Sequence, residues 1–83
     1  MSYSVVFSKQ ALKKLENINE PYYSNIKTAI SNLTTNPRPQ GCKKLKGRDG
    51  YRIRIGNYRV IYDVFDHELI VDVIALGHRK DVY

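Results

Sequence analysis

Hydrophobic residues repeat with two different periods, which divide the chain into a helical first half and a strand-forming second half. A short alternation at residues 3–7 predicts a first strand. Ser8 can cap a first helix that runs to about Ile18, and helical spacing returns over 21–35, before a Pro- and Gly-containing loop at 36–41. The apolar positions expected to face a core are Ala11, Leu12, Leu15 and Ile18 in the first helix, and Tyr22, Ile26, Ala29, Ile30 and Leu33 in the second.

The second half has the alternation and the turn residues of a small sheet. The predicted strands are 43–46, 50–55, 58–66 and 69–76, with turns at Gly56-Asn57, at 66–68 and at Gly77. An antiparallel sheet with one covered face and one open face fits this pattern. The sequence therefore predicts an α+β fold: a single domain over 1–83, with two N-terminal helices packed on one face of a small, mainly antiparallel, twisted β-sheet.

The Gly56-Asn57 turn determines which side chains oppose each other in the first hairpin. It places Arg54 opposite Arg59, with Arg52 two residues away on the same face. Like charges directly opposite in a sheet are destabilising. A sequence that retains such a pair is expected to bind an anion there, and the planar guanidinium suits the phosphates of RNA.

A second hairpin, turning at His67-Glu68, should build the rest of the sheet. Its expected pairs, on the covered face, are Val64 with Val71, Tyr62 with Val73 and Val60 with Ala75. The open face is expected to carry Arg52, Arg54, Arg59, Asp63 and Asp72, with Ile61, Phe65, Ile70 and Ile74 between them.

Positive charge is concentrated in one segment. The formal net charge of the 83 residues is +6, and residues 43–59 alone have a net charge of +6. The basic residues of that segment are Lys43, Lys44, Lys46, Arg48, Arg52, Arg54 and Arg59, opposed by Asp49. Such a segment is typical of a nucleic-acid-binding surface, although a solvated basic face is the alternative.

Other classes of site find little support. Cys42 is the single cysteine, so no intramolecular disulfide can form, and it is more readily a packed small residue than a nucleophile. Cys42, His67 and His78 are too few potential ligands to form a convincing metal site, and no metal or cofactor is expected. No signal peptide or membrane-spanning stretch is visible, which predicts a soluble, cytoplasmic protein.

The end of the chain supplies groups for chemistry. Metal-independent RNA cleavage needs a base for the 2′-hydroxyl, cations around the phosphate and an acid for the leaving oxygen. Arginines can supply the cations, and Tyr83 and His78 are the candidates for proton transfer. The candidate catalytic residues are Arg52, Arg54, Arg59, His78, Arg79 and Tyr83, with Lys43, Lys44, Lys46 and Arg48 as RNA-binding candidates. A solvated terminus is the alternative for the tail.

These motifs together resemble the RelE/ParE superfamily of bacterial toxins from toxin–antitoxin operons. The resemblance covers almost all of the chain, through the helical hairpin, Lys-Leu-Lys-Gly at 44–47, Gly-Tyr-Arg-Ile-Arg at 50–54, Tyr-Arg-Val-Ile-Tyr at 58–62 and the segment 77–83. It implies a RelE-like fold and a ribosome-dependent endoribonuclease that cuts mRNA in the A site. It further implies a RelB-like acidic antitoxin as the partner, in a hetero-oligomer.

The resemblance also assigns residues and leaves alternatives open. Basic residues at positions matching Arg52, Arg54, Arg59 and Arg79, and a C-terminal tyrosine matching Tyr83, form the active site of RelE-like members. The best-studied branch has lysines at the first two of these positions. A ParE-like toxin that binds gyrase would share the fold without cutting RNA, and a non-catalytic basic RNA-binding module is a third possibility.

Overall fold

The computed structural model describes residues 2–78; Met1 and the predicted catalytic residues Arg79 and Tyr83 lie outside the described residues. Two helices and five strands succeed each other in the described part. Their bounds are β1 Ser4–Phe7, α1 Lys9–Glu16, α2 Tyr22–Asn32, β2 Lys43–Lys44, β3 Tyr51–Ile55, β4 Tyr58–Phe65 and β5 Ile70–His78.

The five strands form one sheet in the order β1-β5-β4-β3-β2. The β1–β5 pair is parallel and the other three pairs are antiparallel. Both helices contribute to one core with a single face of the sheet, so the predicted α+β architecture is confirmed. The largest fully buried side chains of that core are Tyr62, Ile26, Leu33, Val60, Val71 and Val73.

Helix α1 begins where the sequence predicts. The Ser8 hydroxyl accepts a hydrogen bond from the backbone N–H of Ala11 at 3.0 Å, as an N-cap should. The helix ends at Glu16 rather than at Ile18, because the N–H groups of Asn17 and Ile18 turn back to the carbonyls of Lys14 and Leu15, at 3.1 and 3.2 Å.

Two positions expected in the core are exposed. Leu12 lies about 100° around α1 from Ala11, beyond the buried stripe, and 45% of its surface is exposed. Tyr22 is the first residue of α2, which starts one residue after Pro21 and ends at Asn32 instead of reaching Thr35. It lies at the rim of the core, where its ring contacts Tyr58, and 41% of it is exposed.

The predicted register holds through the first hairpin and fails part-way along the second. Arg54 lies opposite Arg59, and Val64 and Tyr62 lie opposite Val71 and Val73, as expected. A β-bulge then leaves Ile74 without a counterpart, so Val60 lies opposite Leu76 and not opposite Ala75. The Ser8 hydroxyl donates to the Ile74 carbonyl at 2.7 Å, which satisfies the group at the irregularity.

This bulge moves the residues after it to the opposite faces of the sheet from those expected. Leu76 turns into the core, where it is 3% exposed, and Ala75 turns to the face away from the helices, opposite Ile61. The expected turn at Gly77 is also wrong, because β5 continues to His78 and pairs Gly77 with Arg59.

The segment between α2 and β2 is anchored by polar side chains. The Tyr62 hydroxyl donates to the carbonyl of Pro37 at 2.7 Å. Arg38 donates to both carboxylate oxygens of Asp66, at 3.2 and 2.8 Å, and to the Tyr51 hydroxyl at 3.0 Å. Strand β4 accordingly ends at Phe65, and Asp66 belongs to the turn. The anchor holds the loop that leads into β2, which is shorter than the predicted 43–46.

No helix among residues 2–78 is long and apolar enough to cross a membrane.

Candidate functional site: the arginine face

The sheet face turned away from the helices carries Arg52, Arg54 and Arg59, and we call it the arginine face. Two rows of paired residues cross it. One row runs from Lys43 through Arg52 and Ile61 to Ala75, and the other from Arg54 through Arg59 to Gly77. Cross-strand partners project to the same side of a sheet, so four basic side chains share this face.

Burial distinguishes the two opposed arginines. Arg59 is 5% exposed, Arg54 is exposed and Arg52 is intermediate. Arg59 lies on β4, between β3 and β5, whereas Arg54 lies near the turn end of β3. A guanidinium in a place with little water interacts strongly with a phosphate, because less solvent screens the two charges. The arginine face is therefore open at Arg54 and recessed at Arg59.

His78 lies on the other face. It is paired with Tyr58, which packs against the core on the helix-covered side. The two ring centroids are 6.0 Å apart in an edge-to-face arrangement, and Tyr58 in turn contacts Tyr22 at 5.3 Å. The β-bulge causes this placement, since without it alternation would have put His78 on the arginine face. The structure therefore separates His78 from the arginines with which it was expected to lie.

The lysine-rich edge adjoins the arginine face. Lys43 and Lys44 form the exposed edge strand β2, and Lys46 and Arg48 follow it, also exposed. A pocket of about 400 Å³ is lined by Lys43, Lys44, Leu45, Lys46 and Arg52. Lysines on an edge strand also discourage pairing with other sheets, which is the structural alternative to RNA binding. The pocket joins the predicted RNA-binding lysines to one of the predicted catalytic arginines.

Carboxylates delimit the basic region on the same face. Asp63 lies directly opposite Asp72, in the rows beyond Ile61. Burial raises the pKa of Asp63, nearby Arg48 lowers it, and Asp72 and Asp49 raise it further. The face is therefore basic toward the Gly56-Asn57 turn and acidic toward the other end, and a nucleic-acid backbone would favour the basic end.

The described residues offer little for metal or thiol chemistry. Within 2–78, no three His, Cys, Asp or Glu side chains form a group that could hold a metal ion. Cys42 is partly buried and packs against the core, in agreement with its reading as a packed small residue.

Two groups of contacting residues were not predicted from the sequence, because their contacts form only when the chain folds. One is the anchor of Arg38, Asp66 and Tyr51, whose members are far apart in the chain. The hydrogen bonds from Arg38, and then from Tyr3, lower the pKa of Asp66 to about 2. The other is the contact of Tyr22 with Tyr58 at the end of the sheet. The one feature of the sequence that pointed to such contacts is its content of seven tyrosines in 83 residues.

Comparison with known proteins identifies the family to which the chain belongs. The sequence model described as ParE toxin of type II toxin–antitoxin system, parDE, matches residues 5–83. The mRNA interferase toxin RelE of Escherichia coli K12 is 30% identical over 83 residues, covering 96% of this chain and 86% of that protein.

Solved structures of RelE toxins have the same fold as this chain. The toxin in the intact E. coli RelBE toxin–antitoxin complex has a TM-score of 0.82 at 29% identity, over 93% of this chain and 96% of that one. The archaeal RelE–RelB complex of Pyrococcus horikoshii has a TM-score of 0.81 at 28% identity, over 99% of this chain and 100% of that one. The chain therefore belongs to the RelE/ParE superfamily of type II toxin–antitoxin toxins.

Proposed function

We propose that this toxin is an mRNA endoribonuclease that acts on ribosome-bound mRNA in the cytoplasm, with the arginine face as its active site. The observation that carries the proposal is the recessed Arg59 opposite the exposed Arg54. The pair offers two cations to one phosphate, at a cost in sheet stability that binding an anion relieves. The E. coli relative named mRNA interferase supports the reaction class.

The reaction needs no metal in this proposal. The 2′-hydroxyl attacks the adjacent phosphorus, the bond to the 5′-oxygen breaks, and a 2′,3′-cyclic phosphate and a 5′-hydroxyl remain. Negative charge grows on the phosphate oxygens as the attack proceeds, and preorganised cations stabilise it most where water is excluded. We assign that role to Arg59 together with Arg79, and assign Arg52 and Arg54 to holding the RNA backbone.

Proton transfer is assigned to Tyr83 in preference to His78. His78 projects from the helix-covered face toward Tyr58, away from the arginine pair. A free tyrosine has a pKa of about 10, and arginines close to its hydroxyl lower that pKa toward the range needed for a base. A tyrosine that follows the last strand by five residues has the reach to approach the arginine face.

Two further surfaces complete the proposal. Lys43, Lys44, Lys46 and Arg48 bind the RNA backbone beside the active site, along the basic pocket at the sheet edge. An acidic antitoxin neutralises the toxin, as the RelB-containing complexes of the relatives support. Its binding segment should cover the arginine face or the segment 77–83.

The decisive experiment is induced expression followed by primer extension on cellular mRNA. Translation should stop, and discrete breaks should appear inside translated codons. The broken ends should carry a 2′,3′-cyclic phosphate and a 5′-hydroxyl; a 5′-phosphate would contradict the 2′-hydroxyl mechanism. Intact mRNA with inhibited gyrase would replace this proposal with a ParE-like one. RNA binding without cleavage or growth arrest would indicate a non-catalytic module.

A further inference from the structure

Three aromatic rings from three elements meet at one end of the sheet, and we call them the aromatic cluster. Tyr22 comes from the start of α2, Tyr58 from the start of β4 and His78 from the end of β5. The Tyr22 and Tyr58 centroids are 5.3 Å apart, and those of Tyr58 and His78 are 6.0 Å apart. Tyr58 and His78 are half-buried, whereas 41% of Tyr22 is exposed. The cluster therefore exposes the Tyr22 ring to solvent and supports it with the two half-buried rings of Tyr58 and His78.

The cluster adjoins the candidate active site. Tyr58 precedes Arg59 in β4, and His78 follows Gly77, the cross-strand partner of Arg59. Tyr22 also lies beside the hairpin turn, because a Cβ built on Gly56 would be 3.8 Å from its ring. Successive residues of a strand project to opposite faces, so rings and arginines flank the same sheet end. A single-stranded RNA that crosses this end of the sheet can place a phosphate at the arginines and turn the adjacent base toward the rings.

The charged residue nearest to Tyr22 in the chain is a carboxylate. Glu20 lies two residues before Tyr22 and accepts hydrogen bonds from Ser24, on the backbone N–H at 2.8 Å and on the hydroxyl at 2.6 Å. Those bonds hold the pKa of Glu20 below its usual range, so the carboxylate stays ionised. An ionised carboxylate disfavours the RNA backbone, whereas a neutral base can stack on a tyrosine face.

We propose that Tyr22, supported by Tyr58 and His78, stacks on an unpaired RNA base next to the nucleotide whose phosphate lies between Arg54 and Arg59. This subsite rests on the proposed function, since it positions the same RNA. Stacking is tolerant of base identity, because every base has a π face. The cluster thus orients the strand, while the arginines bind its phosphate.

The test is a double-mutant cycle between the Tyr22 ring and one base. The full-length toxin is titrated with ribosomes programmed with an mRNA whose cleavage-site ribose is 2′-O-methylated, so that no attacking hydroxyl is present. A matched RNA lacks the base next to that site. Tyr22→Leu keeps an apolar side chain at the rim, and Phe65→Leu is the control, because Phe65 is 44% exposed on the opposite face at the far end of β4.

Tyr22→Leu should weaken binding to the intact RNA roughly fivefold to a hundredfold, the range for losing one base–aromatic stack. The abasic RNA should bind wild type about as weakly, and the two losses should not add. Phe65→Leu should bind like wild type. Equal weakening of both RNAs by Tyr22→Leu, or none, would overturn the stacking role while leaving the arginine site standing. Absence of RNA binding by wild type would overturn the proposed function and the subsite together.

Discussion

Arg54 and Arg59 lie directly opposite each other across the β3–β4 hairpin, but Arg59 is 5% exposed while Arg54 faces solvent. Arg59 lies on β4 between β3 and β5, whereas Arg54 lies past the end of β2, which pairs with β3 only at Tyr51 and Arg52. In the proposed active site, the two side chains would present one phosphate with two unlike cations. Arg59 is held in a fixed, poorly hydrated position, and Arg54 is free to follow the substrate.

Replacing Arg59 by Ala should cost about 2–4 kcal/mol of transition-state stabilisation, as expected for one preorganised electrostatic group. The loss should appear in the single-turnover cleavage rate on programmed ribosomes, with ribosome binding nearly unchanged. Full activity of Arg59→Ala would refute the assignment. Because Arg59 is buried, a thermal melt must show that the variant is folded before the rate is interpreted.

The matched variant Arg54→Ala should behave differently. It removes one member of the like-charge pair from an exposed position, so the free energy of unfolding should rise by about 0.2–1 kcal/mol. RNA affinity should fall and become less dependent on salt, because a backbone contact is lost. A rate loss as large as that of Arg59→Ala, at saturating RNA, would show that the two arginines share one role.

Tyr83→Phe tests proton transfer. It removes only the hydroxyl, and the single-turnover rate should fall by roughly 10²–10⁴ if that group moves a proton. His78→Gln is the comparison. At saturating toxin it should change the rate little, because His78 lies on the helix-covered face beside Tyr58, where it supports stacking and not proton transfer. The reverse ranking, with a pH–rate profile that bends near about 6.5, would identify the histidine as the acid or base.

The Arg38–Asp66 pair should make stability fall in acid. The pKa of Asp66 is about 2 in the folded protein, below its value of about 4 in an unfolded chain. Its contribution is therefore fully present above about pH 5 and is lost as the pH falls through 4 toward 2. Asp66→Asn should be less stable than wild type at pH 7, and urea denaturation curves of the two should converge near pH 2. A constant difference across this range would contradict the assignment.

Asp63 should show the opposite behaviour. Burial and its partner Asp72 raise its pKa, so its ionisation opposes folding and the penalty is fully present at pH 7. Asp63→Asn should raise the free energy of unfolding there by about 0.2–1 kcal/mol. Asp72→Asn should have a similar effect, and the double variant should gain less than the sum. Destabilisation by Asp63→Asn in urea denaturation would show that its charge is needed.

Gly50 should resist substitution more than Gly41. Both have positive φ, +121° and +93°, so Ala at either site introduces backbone strain of roughly 1–3 kcal/mol. A Cβ at Gly50 would lie 2.9 Å from the Asp63 Oδ1 atom and 3.3 Å from the Tyr62 carbonyl, whereas one at Gly41 meets nothing within 4 Å. Gly50→Ala should therefore lower stability further than Gly41→Ala in urea denaturation. Equal losses would mean that strain alone matters.

Features that depend on neighbouring residues in the chain could be predicted before the fold was known. Ser8 caps α1 through a bond to Ala11, three residues away. The Gly56-Asn57 turn sets the pairing of Arg54 with Arg59, because a two-residue loop allows one register. The helix cap and the hairpin register are both set by hydrogen bonds between residues close in sequence, and both were correctly predicted.

The face of the sheet that the residues after Ile74 occupy depends on long-range contacts, and it became apparent only in the folded protein. The bulge at Ile74 is accompanied by a hydrogen bond from Ser8, 66 residues away, and no local sequence pattern predicts it. One extra residue in β5 reverses every later side chain, which sends Leu76 into the core and His78 away from Arg59. The burial of Arg59 and the anchor from Arg38 to Asp66 have the same origin. Both arise from contacts between segments that are distant in the sequence. The free energy of such contacts depends on packing, which the periodicity of a single strand does not specify.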